Sequence, residues 1–409
     1  MQRAFLLGLV LAVAPAIAGA QRVSVQQLEQ ILASSGPTPD ANADDLGKMD
    51  LQDQINREES LAPRLAALEL TEHLSSMTRA RLLTKYKLGP LTRSSLELLA
   101  DRSSLLEPPA SEALNLPPPD ADAQRTMVRQ AGAFVFQTLT HLPDFFALLT
   151  TTQFDDGPVI ISGETLVADP GMHRVGSSQR EITFSEGREV FDSSRVGLAS
   201  KRGRVEGLDS QGEFGAEAAI VFLDVAHGTL TFHHWEQSTL GPVAVFHYAV
   251  PQASSHYEVK YACQGKPNFH AQPPYHGSLS IDPAAGVLVR FTIQAQSEPD
   301  DPISQVGSAV EYGPVVLGER KYFCPVRSLA FSQQKADTCV DAHKRRLTRP
   351  VDMLNRIVFT DYHRLGSEMV IVPGQQNPPP QEPPRDGDTP KPSAPPQTSP
   401  DPPSVPHSR

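Results

Sequence analysis

Cysteine is scarce in this chain of 409 residues. Three thiols, at positions 263, 324 and 339, are too few for a small domain held together by disulfides. Basic side chains are also in the minority. Thirty-six Lys and Arg stand against 47 Asp and Glu, a net charge of −11, which argues against a nucleic-acid partner, since phosphate neutralisation needs a basic surface. Long hydrophobic runs are missing beyond the first twenty residues, so no transmembrane anchor is expected in the mature chain. Signatures of chemistry are missing too. There is no helical HExxH, no paired CxxC and no GxSxG elbow. Paired carboxylates such as Asp155-Asp156 and Asp300-Asp301 lie in turn-like segments, where Asp is common. Thirteen histidines invite a metal, but neighbours such as His233 and His234 should point to opposite faces of a strand. The expectation is therefore no catalytic residue, no cofactor and no metal site.

What is present begins with an export signal. Met1-Gln2-Arg3 is a short positive start, Ala4 to Val13 an apolar run, and Ala18-Gly19-Ala20 a small-x-small cleavage pattern. Residues 1–20 are expected to be a signal peptide, and the mature chain periplasmic or secreted. At the other end, fourteen of the 38 prolines fall between Pro373 and Arg409. Residues 373–409 read as a disordered proline-rich tail, a candidate spacer towards a cell-wall or envelope-protein partner.

Between these ends the pattern predicts an α+β fold in two parts. Residues 21–109 read as a helical region, with Leu28 and Ile31-Leu32, then Leu61, Leu65 and Leu68, at helical spacing. Pro63 is expected in a first helical turn, and Ser94 with Glu97 as a capping box. Residues 110–120 read as a proline-rich linker. In residues 121–372 a helix from Asp122 to Leu142 precedes a long antiparallel β-meander that it is expected to cover. Glu217 to Val225 is expected to be one of the strands. Glu186-Gly187 and Gly318-Glu319 supply tight hairpin turns. Alternation places Tyr257, Val259 and Tyr261 on one apolar face, and Val287, Val289, Phe291 and Ile293 on another.

Two resemblances follow from these residues. Gly212-Glu213-Phe214-Gly215, Trp235-Glu236, Tyr275-His276-Gly277, Val310-Glu311-Tyr312-Gly313-Pro314-Val315 and Cys324-Pro325-Val326-Arg327-Ser328 together resemble a family of secreted bacterial proteins of unknown function. That resemblance brings no catalytic residue. The order of elements, a helix and then a long meander, is similar to the lipoprotein-carrier fold of the outer-membrane sorting proteins, and implies a half-open sheet holding an acyl chain. Cys263 and Cys324 are favoured as a disulfide, with a local Cys324–Cys339 bridge as the alternative.

The expected function is a non-catalytic cell-envelope protein. Its sheet would bind an acyl chain, lipoprotein or other apolar ligand through Tyr257, Val259, Tyr261, Val289, Phe291 and Ile293. The basic run Lys344, Arg345 and Arg346 with Arg349 is the candidate contact with an anionic surface. The alternative is an interaction module that grips a protein partner through its helical region. A secreted hydrolase with an unrecognised histidine–carboxylate site is the third reading.

Overall fold

The computed structural model describes residues 21–35, 51–157, 160–161, 164–165, 171–190, 208, 212–262, 268–336 and 349–365. The expected signal peptide, Cys263, Cys339, Lys344, Arg345, Arg346 and the proline-rich tail lie outside these residues.

The helical region opens with β1 (Gln21–Val23), which pairs in parallel with β2 (Leu68–Leu70). Helix α1 (Val25–Ser34) starts at a capping box in which Ser24 and Gln27 satisfy each other's backbone N–H. Helices α2 (Leu51–Ala66), α3 (Ser76–Tyr86) and α4 (Pro90–Arg102) follow. Leu28, Leu32, Leu61, Leu65, Leu82 and Leu96 are fully buried between them. Two expectations need correction. Pro63 lies near the end of α2, which already begins at Leu51. Helix α4 begins at Pro90, ahead of the expected capping box, because its N-terminus is capped from another helix. Glu58 of α2 accepts hydrogen bonds from the N–H groups of Gly89 and Thr92 and from the Thr92 hydroxyl. Burial opposes ionisation of Glu58, but these bonds outweigh it and hold the carboxyl below its ordinary range.

The expected linker is partly ordered: Ala113 and Leu114 form β3. Helix α5 (Ala121–Ala133), capped by Asp120, continues into a π turn (Phe134–Thr138) and a 3-10 turn (Leu139–His141). The strands are β4 (Phe145–Asp155), β5 (Ile160–Ile161), β6 (Glu164–Thr165), β7 (His173–Ser185) and β8 (Arg188–Val190). After α6 (Ala216–Val225) come β9 (Thr229–Ser238), β10 (Gly241–Val250), β11 (Val259–Tyr261) and β12 (Phe269–Ala271). The run closes with β13 (Tyr275–Asp282), β14 (Val287–Gln296), β15 (Ile303–Leu317), β16 (Arg320–Gln334) and β17 (Val351–Arg364).

Eleven of these strands form one unclosed antiparallel sheet in the order β3-β9-β10-β13-β14-β15-β16-β17-β4-β7-β8. The α+β class and the meander are as the pattern predicts, but Glu217 to Val225 is helix α6 and not a strand. A short apolar run does not distinguish the two by periodicity. Gly215, at φ +119°, and a bond from Glu217 N–H to the Gly212 carbonyl turn the chain into the helix.

The two sheet faces carry different loads. Inside, α5, the π turn and α6 pack on Phe145, Phe184, Phe246, Leu279 and Phe291. Outside, α4 and the segment after it dock on β14 to β17. Asp101, whose side chain is fully buried, pairs with both Arg327 and Arg356, while Glu97 lies 3.6 Å from Arg356. Arg290 donates to the Ser104 carbonyl, and Gln294 Nε2 to that of Leu105 at 2.9 Å. Leu98 fills a small apolar cluster with Phe154, Met172 and Leu354.

Removing one partner from a buried charge cluster leaves the others uncompensated, so Asp101→Ala should lower unfolding free energy by about 3 kcal/mol in a urea titration. Gly277 is the second sensitive point. The Tyr248 hydroxyl donates to the Thr292 carbonyl at 2.6 Å, and a Cβ at Gly277 would collide with that carbonyl and come within 2.8 Å of the hydroxyl. Gly277→Ala should cost roughly 3 kcal/mol in the same titration.

Candidate functional site

Five of the six residues expected to bind an apolar ligand converge on the inner face. Phe291 and Ile293 are fully buried there, Val259 is buried, and Tyr257 and Tyr261 pack against the same core. Val289 does not join them. A bulge between Ser280 and Ile281 pairs Leu279 with Phe291 but Ile281 with Leu288, so Leu288 takes the inward place expected of Val289. The face these residues form is covered by helices.

The cover rests on a buried acid. Glu217, in the first turn of α6, accepts a 2.5 Å bond from the Ser308 hydroxyl through Oε1, while its Oε2 is buried and unpartnered. Burial first, and then the nearby Glu213 and Glu189, raise its pKa from 4.5 to about 8. Glu217 is therefore mostly protonated at pH 7 in this arrangement. The preceding turn is pinned from the sheet as well. The Tyr312 hydroxyl donates to the Glu213 carbonyl at 3.0 Å, and Phe214 N–H donates to Glu189 at 3.1 Å. Burial again pushes Glu189 up, against the opposing effect of that bond.

The other end of α6 is tied by Asp224, whose side chain is fully buried. Its Oδ1 lies 2.5 Å from His256 Nδ1, and its Oδ2 accepts the His256 N–H and the Tyr275 hydroxyl, each at 2.8 Å. The imidazole of His256 is 72% exposed. An acid oriented on an exposed imidazole matches half of a nucleophilic triad, but neither Asp224 nor His256 has a hydrogen bond to a serine or cysteine side chain among the described contacts. Its evident effect is to fasten the helix to β13 and to the segment after β10.

The thiol expectation needs correction. Cys324 is free, buried in the inner core opposite Gly313, and burial pushes its thiol up to about 12. The expected Cys263–Cys324 disulfide is not formed. Of the basic run, Arg349 is described, and it is engaged within the chain: its Nη1 lies 2.7 Å from Asp156 Oδ2.

The outer face carries a constellation that strand alternation hides. Between β9 and β10 the register shifts, pairing His234 with Val245 but Phe232 with Phe246. His233 is the extra residue of this bulge. Adjacent His233 and His234 therefore share the outer side instead of pointing to opposite faces, with their Nδ1 atoms 2.7 Å apart. The His233 ring stacks on His247 of β10 at 3.9 Å. Glu107, on the segment after α4, approaches from the helical region, its Oε1 3.2 Å from His247 Nε2. The bond to His247 keeps the Glu107 carboxyl below its ordinary range. Burial, aided by His247 and His234, lowers the pKa of His233. This cluster borders a cleft of about 150 Å³ between residues 104–108 and strands β9, β10, β13 and β14. Buried His73 also lines it, kept neutral first by burial and then by Arg290.

Glu217 makes a pH prediction whose sign is fixed. Its folded pKa lies above the ordinary 4.5, so folding takes up a proton between pH 4.5 and 8, and stability falls as pH rises through that window. Glu217→Gln should flatten that slope and stabilise the fold by up to about 3 kcal/mol at pH 7, read by urea titrations from pH 5 to pH 9. An unchanged slope in the variant would assign the pH dependence to other groups.

Comparison with protein-family models, curated proteins and solved structures gives no match for the chain. Function is accordingly read from the helical cover and the histidine cleft.

Proposed function

We propose that this chain is an exported, non-catalytic cell-envelope protein that carries an acyl chain or other apolar ligand on the inner face of its sheet. The described arrangement is its covered state. One observation carries the reading. The apolar face of an unclosed sheet is covered by helices and not by a second sheet, and α6 sits on it over a buried Glu217 whose Oε1 is held by Ser308 and whose Oε2 has no partner. A cover seated on a group that prefers water is poised to leave, since ionisation of Glu217 favours any state in which that carboxyl is hydrated. The bulged helix beneath it, where α5 passes through a π turn, supplies a local irregularity of the kind often found at functional sites. Phe291, Ile293, Val259, Tyr257 and Tyr261 would then line the ligand. None of the helices among the described residues is long and apolar enough to cross a membrane. In this reading the carrier would meet a bilayer from outside, with residues 373–409 as a spacer.

The test is uptake of a fluorescent fatty acid by purified protein, with mass spectrometry of the native preparation for copurifying lipid. Uptake should quicken between pH 6 and pH 9 in the wild type. Glu217→Gln should slow it and remove the pH dependence. A preparation that holds no lipid and takes up no fatty acid at either pH would overturn the carrier reading.

A further inference from the structure

We propose that Glu107, His233 and His234 form a binding site for a divalent transition-metal ion, zinc foremost, at the rim of the outer cleft. One ligand atom from each residue lies within 4.8 Å of the others. Two imidazoles and one carboxylate are a zinc donor set that leaves a fourth position open to water. The ligands come from two separate parts of the chain, the bulge in β9 and the segment after α4, so the set is made by tertiary structure. Imidazole donors favour zinc, cobalt, nickel or copper over magnesium or calcium, which take oxygen.

The histidine pair needs little adjustment, and Glu107, whose ligand atom lies within 4.8 Å of theirs, closes in from the helical region. Two nitrogens on one tetrahedral ion stand about 3.3 Å apart when each bond is about 2.0–2.1 Å. The Nδ1 atoms of His233 and His234 are 2.7 Å apart, so the rings must part by a few tenths of an ångström. Without metal, those two nitrogens face each other and have to share one proton. An ion between them replaces that proton and satisfies both lone pairs.

Surrounding groups orient the ligands. With Nδ1 of His234 on the ion, its proton resides on Nε2, which is buried, has no hydrogen-bond partner, and lies 3.8 Å from Glu236 Oε2. A carboxylate behind a ligating imidazole is the usual outer-shell arrangement. His247 braces the site from the other side, stacking on His233 and touching Glu107. Because Glu107 belongs to the helical region, a bound ion would tie that region to the sheet at a point away from Asp101. The site is independent of the covered inner face and stands whether or not the sheet carries a lipid.

The test uses the untagged full-length chain, stripped with a chelator and titrated with zinc chloride by calorimetry, and with cobalt chloride by visible absorption. One equivalent of zinc should bind, and cobalt should give the strong visible bands of a four-coordinate site. His233→Ala, His234→Ala and Glu107→Gln should each weaken zinc binding by at least about 10- to 100-fold, the loss typical of removing even an outer-shell support. His276→Ala, which lines the same cleft but is not one of the clustered ligands, should leave affinity unchanged. Thermal melts in chelator should coincide for all variants, separating loss of a ligand from loss of fold. Absence of saturable zinc binding, or full binding in the His233→Ala/His234→Ala double variant, would overturn the assignment.

Discussion

The pairing of β17 with β4 holds the molecule together. Residues 351–364 lie beside residues 145–155, so the end of the meander meets the strand that began it. That ladder joins the seven-strand run from β9 to β17 to β4, β7 and β8, and makes one sheet whose inner face packs against two helices. It also sets β17 between β16 and β4 with Arg356 on the outer side next to Arg327. Two guanidiniums close together on a sheet face need a carboxylate, and Asp101 of α4 supplies it. The docking of the helical region thus follows from sheet pairing. So does the position of Glu107, five residues beyond the end of α4, above the histidines of β9 and β10.

The sheet separates two kinds of chemistry by the parity of its strands. Inward positions hold Phe246, Leu279, Phe291 and Val310, while outward positions hold His247, Ser278, Arg290 and Thr292. Where parity breaks, at bulges, side chains change sides. The bulge in β9 turns His233 beside His234, and the bulge between β13 and β14 brings Leu288 inward in place of Val289. Buried acids mark the other exception. Glu213, Glu217 and Glu189 lie together on the inner side, where proximity and burial raise the cost of charge. Under the proposed function, a carboxyl kept neutral in that setting would give the cover a pH-dependent grip.

Much of this was legible in the residues. Alternation located most strands, Glu186-Gly187 and Gly318 gave their hairpins, and the spacings of Leu28 with Leu32 and Leu61 with Leu65 gave the helical core of the first region, whereas Leu68, expected on the same helical stripe, lies in β2. Misreadings came where local signals compete. Ala216 to Val225 is apolar enough for either a strand or a helix, and a glycine turn with a distant sheet decides the matter. Pro63 was misplaced because its helix begins at Leu51, well ahead of it, and the start of α4 because Glu58, over thirty residues from Thr92, caps that helix from outside its own segment.

The sequence by itself determined the class of fold, the alternation of apolar and polar faces and the composition of the ends, because these depend on neighbours a few residues apart. Three cysteines also limited the part disulfides could play, although they did not foretell that Cys324 would be a free thiol in the core. Tertiary structure alone decided that the apolar face is covered, that Asp101 binds two arginines, and that Glu107 meets His233 and His234. Each of these depends on groups brought together from distant parts of the chain. The histidine pair adds a local reason: one extra residue in a strand reverses the side on which a side chain emerges, and the register shift that creates it exists only once β9 lies against β10.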